Sequence, residues 1–220
     1  MNRNAIAVLI FVTVLAGFFR LYEQKSYPPG LYPDEAMNGN NALEALSTGH
    51  FKIFYPENNG REGLFINIQA AFLQFFGVNE PWVLRLPSAI FGVLTVSGVF
   101  FMARELALLS RLSSPNTIAG FAAFFVATSF WHIVFSRIGF RAIAAPFFLT
   151  YAVFFILHAF RARMMRSAIL AGVFSGLGMY TYIAYRGMPL VFLGLLPALL
   201  ARREFKHLTL GAIIAFLVVI

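Results

Sequence analysis

Residues 26–41, SYPPGLYPDEAMNGNN, place two adjacent carboxylates, Asp34 and Glu35, just behind a proline and a few residues past a long apolar run. A carboxylate facing an apolar wall loses solvation, gains proton affinity and becomes suited to accept a proton. Asp34 and Glu35 are therefore the candidate catalytic pair, as a general base or as metal ligands. The plainer reading is a helix N-cap, in which a side-chain oxygen accepts from free backbone N–H groups and contributes about 1 kcal/mol. The two roles are compatible, because a cap holds its carboxylate in a fixed direction.

Three arginines form the second constellation. Arg137 and Arg141 lie four apart in FSRIGFRA, and Arg186 sits in YIAYRGMP. On a helix, positions four apart share a face. A guanidinium grips phosphate in a bidentate way, so these three are the candidate donor-phosphate ligands. Snorkelling toward lipid headgroups is the ordinary fate of an arginine near the end of a membrane helix. Three of them in neighbouring short connections favour the phosphate reading. Tyr182 and Tyr185 flank Arg186 and are candidates to stack on a sugar ring, although tyrosines at that depth also form interfacial belts. Glu57 and Glu62 flank a turn-rich stretch and read as solvated, with Glu62 a further candidate for substrate contact. His132 reads as an interfacial or packed histidine. No HExxH, phosphate-loop or dinucleotide-binding motif occurs, and no cysteine is present, which excludes thiolate chemistry and cysteine-ligated zinc.

The elements that must position these residues are membrane helices. The 220-residue chain is 60% hydrophobic and 12% charged, about half the charge of a soluble domain. Its apolar runs approach the roughly 20 residues that cross a bilayer. The predicted fold is all-α and polytopic, with about seven spans: 5–19, 86–103, 118–134, 142–160, 167–184, 187–201 and one from about 208. The last run is still apolar at Ile220, so the chain reads as the front part of a longer protein, a partial core over residues 1–220. The first span reads as a retained signal anchor, since no small-residue cleavage site precedes Arg20.

Residues 20–80 form a long polar first loop. With the N-terminus cytoplasmic, cytoplasmic segments hold nine basic residues and two acids, a balance of +7, against eight and seven outside, a balance of +1. That asymmetry matches the positive-inside rule and sends the first loop to the non-cytoplasmic face of a plasma or inner membrane. Within it, a helix is predicted to start at Pro33–Asp34–Glu35 and to end near Gly49. A second, over 63–77, is too short to span and is predicted to lie in the interface. The net charge of +8 is thereby explained without nucleic acid.

The first span, then YPDEAMNGNNALEAL in a long loop, then RLPSAIFGVLTVSGVFFMAREL, resembles the C-fold integral-membrane glycosyltransferases, in particular the protein O-mannosyltransferase and aminoarabinose-to-lipid-A transferase group. FSRIGFRAIAAPFFLTYAVFFILHAF resembles the same group, so the likeness runs over about residues 5–160. It implies a polyprenyl-phosphate sugar donor, transfer on the non-cytoplasmic face to a lipid, glycan or protein acceptor, and Asp34 at the reacting centre with Glu35 its motif neighbour. No cofactor is required by these residues; a divalent metal bridging Asp34 and the phosphate is the alternative way to neutralise charge. A transporter or lipid flippase is the competing class, and charges gathered at the two surfaces instead of the midplane argue against it.

Overall fold

The computed structural model describes residues 1–57, 60–190, 192–193 and 205–220. Asn2 caps the first helix, its Oδ1 accepting from Ala5 N at 3.0 Å, and α1 runs over Arg3–Leu21. The first loop then builds α2 (Pro33–Thr48), the short strands β1 (Phe54–Tyr55) and β2 (Arg61–Glu62), and α3 (Gly63–Phe76). Helix α2 has the boundaries its sequence calls for: proline at its first position and Gly49, at φ 72°, closing it in the left-handed conformation. The ladder pairs Phe54 with Glu62 and Tyr55 with Arg61, where the sequence reading had only a turn.

Helix α4 (Pro81–Leu109) is the axis of the bundle and packs against α1, α3, α5 (Pro115–Thr128), α6 (Phe130–Arg137) and α7 (Ala144–Ala162). Its 29 residues make a rod of about 44 Å, longer than the span predicted at 86–103. Small residues let the helices close in. Ala119, Ala123 and Ala127 recur every four positions on α5 and meet Ala5, Val12 and Ala16 of α1 and Val96 and Phe100 of α4. A second core joins α2, α3 and the start of α4 through Ala42, Ile66, Ala70, Val83 and Leu84, which fastens the first loop to the bundle. After α7 come α8 (Met165–Gly178) and, beyond a 3₁₀ turn at Ile183–Gly187, α9 (Lys206–Val219).

Among the described residues three helical stretches are long and apolar enough to cross a membrane: Arg3–Leu21, Pro81–Leu109 and Arg141–Ala162. The predicted third span is not one straight helix. It breaks at Ser129, and α5 and α6 are bent by 56° there. Helices α3, α8 and α9 are apolar but shorter, at 14 residues each. Most of the predicted sixth span, 187–201, lies outside the described residues.

Candidate active site

The acidic pair lies in the first turn of α2, but its two members face different neighbours. Glu35 sits at the third helical position and reaches back to Tyr32, whose backbone N–H donates to Oε2 at 3.2 Å. Arg85 of α4 donates from Nε to Oε1 at 2.7 Å and from Nη2 to Oε2 at 3.2 Å. The Gly139 amide donates to Oε1 at 3.0 Å. Four donors thus fill the carboxylate, and Glu35 and Arg85 are each only 1% exposed. Arg85 also donates to the carbonyls of Pro28, at 2.8 Å, and Gly30. The backbone at Gly139 comes close: a Cβ there would lie 3.0 Å from Glu35 Cγ, so any side chain would have to push Glu35 aside by a few tenths of an ångström. The N-cap position is Tyr32, and Glu35 completes a capping box by accepting from its amide, while Arg85 joins the first loop to the bundle.

Asp34 is half-buried and shares a face of α2 with Asn38 and Asn41, at spacings of four and three. That face meets Arg61 of β2. Arg61 Nη1 donates to Asn38 Oδ1 at 2.6 Å, Nη2 donates to Asn41 Oδ1, and Nε donates to the Glu57 carbonyl at 3.3 Å. Burial lowers the Arg61 guanidinium from its ordinary value and Arg141 adds repulsion, while the charges of Glu57 and Asp34 oppose both. Asp34 also acts electrostatically on Arg141. The first acid of the motif thus acts electrostatically on two guanidinium groups, one from its own loop and one from the bundle.

Glu62, expected to be solvated, is only 4% exposed. Successive strand residues point to opposite sides, so while Arg61 turns to α2, Glu62 meets two of the predicted phosphate ligands. Arg186 Nη2 donates to its Oε1 at 2.9 Å, and Arg141 Nη1 lies 3.3 Å from its Oε2. The second approach is an ion pair without hydrogen-bond alignment: among the described residues, Glu62 Oε2 and Arg141 Nη1 are both buried with no hydrogen-bond partner. The Arg141 guanidinium lies over the Tyr182 ring, 5.5 Å from its centre. The structure thus brings together Arg141, Arg186, Glu62 and Tyr182, with Asp34 in electrostatic reach.

Two predicted residues sit elsewhere. Arg137 donates to the carbonyls of Phe19 and Tyr27, each at 2.9 Å, and so ties the end of α1 to α6. Tyr185 is 4% exposed in a core with Phe65, Ile143, Phe148 and Met188, its ring filling the space where a side chain on Gly178 would stand. His132 accepts at Nδ1 from Arg20 at 2.8 Å, which places its proton on Nε2. Arg20 also donates to the carbonyls of Val126 and Ala127, at 3.2 and 3.1 Å, at the break, where the Ser129 amide also donates to Val126. Among the described residues no three His, Asp or Glu side chains come together to hold a metal ion.

Residues 64–220 match the family described as dolichyl-phosphate-mannose-protein mannosyltransferase. The match takes in Arg85, Arg137, Arg141 and Arg186, while Asp34 and Glu62 precede it. It extends past residue 160, where the sequence likeness had been weaker. No curated protein matches the chain by sequence. Among solved structures, the fold is similar to the Archaeoglobus fulgidus oligosaccharyltransferase tethered to an acceptor peptide, with a TM-score of 0.73 and 16% identity over 98% of this chain and 29% of that one. The chain therefore spans less than a third of that protein's length. The family match and the shared fold agree with the resemblance to C-fold membrane glycosyltransferases, and the chain belongs to the dolichyl-phosphate-mannose-protein mannosyltransferase family.

Proposed function

We propose that this chain carries the reacting end of an enzyme that transfers a glycosyl group from a polyprenyl-phosphate-linked sugar to a hydroxyl of a lipid, glycan or protein acceptor on the non-cytoplasmic face of the membrane. The observation that carries the proposal is the convergence of Arg141 and Arg186 on one buried position, with the Asp34 carboxylate in electrostatic reach of Arg141. The family description, which names a lipid-phosphate sugar, supports the donor class.

In a single displacement the acceptor oxygen bonds to the anomeric carbon, its proton passes to Asp34, and the bond from that carbon to the phosphate oxygen breaks. The phosphate leaves with the electron pair. Arg141 and Arg186 meet its growing charge, and such fixed donors lower the barrier because they need no reorganisation. Glu35 is a positioning residue: it holds the first turn of α2, and hence Asp34, against Arg85 and the Gly139 loop.

Asp34→Asn in the intact protein tests this reading. Transfer from a radiolabelled lipid-linked donor should fall by about 10²–10⁴-fold, the usual contribution of a general base, with membrane insertion and thermal stability unchanged. Normal transfer would remove Asp34 from the mechanism.

A further inference from the structure

We propose that Glu62 is a resident counter-ion that the donor's phosphate displaces, so that the two arginines exchange one anion for another on binding. The inference rests on the reading of Arg141 and Arg186 as the phosphate ligands.

Two guanidinium groups brought to one place repel each other, and the repulsion is strongest where water is scarce. Arg141 and Arg186 come from separate elements, the turns before α7 and after α8, which the shared core of Ile143 and Tyr185 holds side by side. Glu62 gives each an oxygen, at 3.3 Å from Arg141 Nη1 and 2.9 Å from Arg186 Nη2. A two-oxygen carboxylate fits the pair poorly. Among the described residues its Oε2 and the facing Arg141 Nη1 are buried without a hydrogen bond, and the Glu62 side chain is only 6% exposed. The donor's phosphate is a diester whose two non-bridging oxygens sit on a tetrahedral phosphorus, out of the single plane of a carboxylate, and can take N–H donors from both guanidiniums. Arg186 is 49% exposed at its side chain, so the cluster can be entered from the Arg186 side. Arg141 lies over the Tyr182 ring, 5.5 Å from its centre, a contact that does not involve Glu62. Glu62 thus keeps the arginines paired when the site is empty and competes with the ligand for them.

The test is binding of radiolabelled polyprenyl phosphate to the intact protein in lipid nanodiscs, with inorganic phosphate and phosphatidic acid as competitors that separate the carrier from a free ion or a headgroup. Glu62→Gln keeps the shape and removes the charge, and it should bind polyprenyl phosphate about tenfold more tightly, the scale of one charge-assisted hydrogen bond. Glu62→Asp keeps the charge on a side chain too short to bridge both arginines. It should tighten binding by a smaller factor, and it decides the matter if Glu62→Gln does not fold. Arg141→Gln and Arg186→Gln should weaken binding. Unchanged or weaker binding in the Glu62 variants, with weaker binding in the arginine variants, overturns the counter-ion role alone. Unchanged binding in the arginine variants overturns the phosphate reading beneath it. Tightening seen equally with phosphatidic acid assigns the exchange to any lipid phosphate instead of the sugar carrier.

Discussion

Glu35 and Glu62 are both buried, both lie in the first loop, and both face arginines of the bundle, yet they are satisfied to different degrees. Glu35 receives four donors: two from Arg85 and one each from the Tyr32 and Gly139 amides. An ionised carboxylate has about four acceptor directions, so nothing remains for a ligand. Glu62 receives one aligned donor, from Arg186, and one unaligned approach from Arg141. The first arrangement is a saturated joint, and the second leaves hydrogen-bonding capacity unfilled, as the proposed phosphate site requires. Burial does not separate them, since both are under 5% exposed. Hydrogen-bond saturation does, because an unfilled buried donor or acceptor is stabilised by any ligand that fills it.

The largest expected effect comes from breaking the saturated pair. Arg85→Ala leaves the Glu35 carboxylate buried against its two remaining amides, and should destabilise the protein by about 3–5 kcal/mol, as removal of one partner of a buried ion pair does. Thermal unfolding in detergent checks it, and a melting temperature equal to that of the unsubstituted protein would erase the distinction between the two carboxylates. Next comes the unsaturated pair. Arg141→Gln should raise the donor KM by about 10–100-fold, the scale of a charged hydrogen bond, while moving the melting temperature far less than Arg85→Ala. A stability loss that matched Arg85→Ala would make the second pair a joint as well. The smallest effect belongs to Arg137, whose hydrogen bonds run to backbone carbonyls. Arg137→Ala should cost about 1 kcal/mol of stability and leave donor affinity unchanged. A KM that rose with it would return Arg137 to the phosphate group.

Local features of the chain were legible in its sequence. Pro33 and Gly49 delimit α2 because proline fits the first helical position and glycine tolerates the left-handed closing conformation, and both are properties of single residues. The long apolar runs of α1 and α4 marked membrane helices because hydropathy adds along a segment. The acidic pair and Arg141 and Arg186 stood out by charge placement. The break at Ser129 did not, since no proline or glycine marks ATSFWHIV; there Arg20, more than 100 positions earlier, donates to the carbonyls of Val126 and Ala127.

The division of labour among the charged residues lay beyond sequence reading for the same reason. Glu35 meets Arg85 across 50 positions and Gly139 across 104, and Glu62 meets Arg186 across 124. A two-residue strand turns Arg61 one way and Glu62 the other. Which acid is saturated and which is left open depends on where donors from distant segments arrive, and that follows from how the helices pack. Residue type and local spacing announce that charge is present at this end of the bundle; the partner each charge receives is a property of the assembled bundle, because hydrogen bonding is decided over about 3 Å between atoms that the chain keeps far apart.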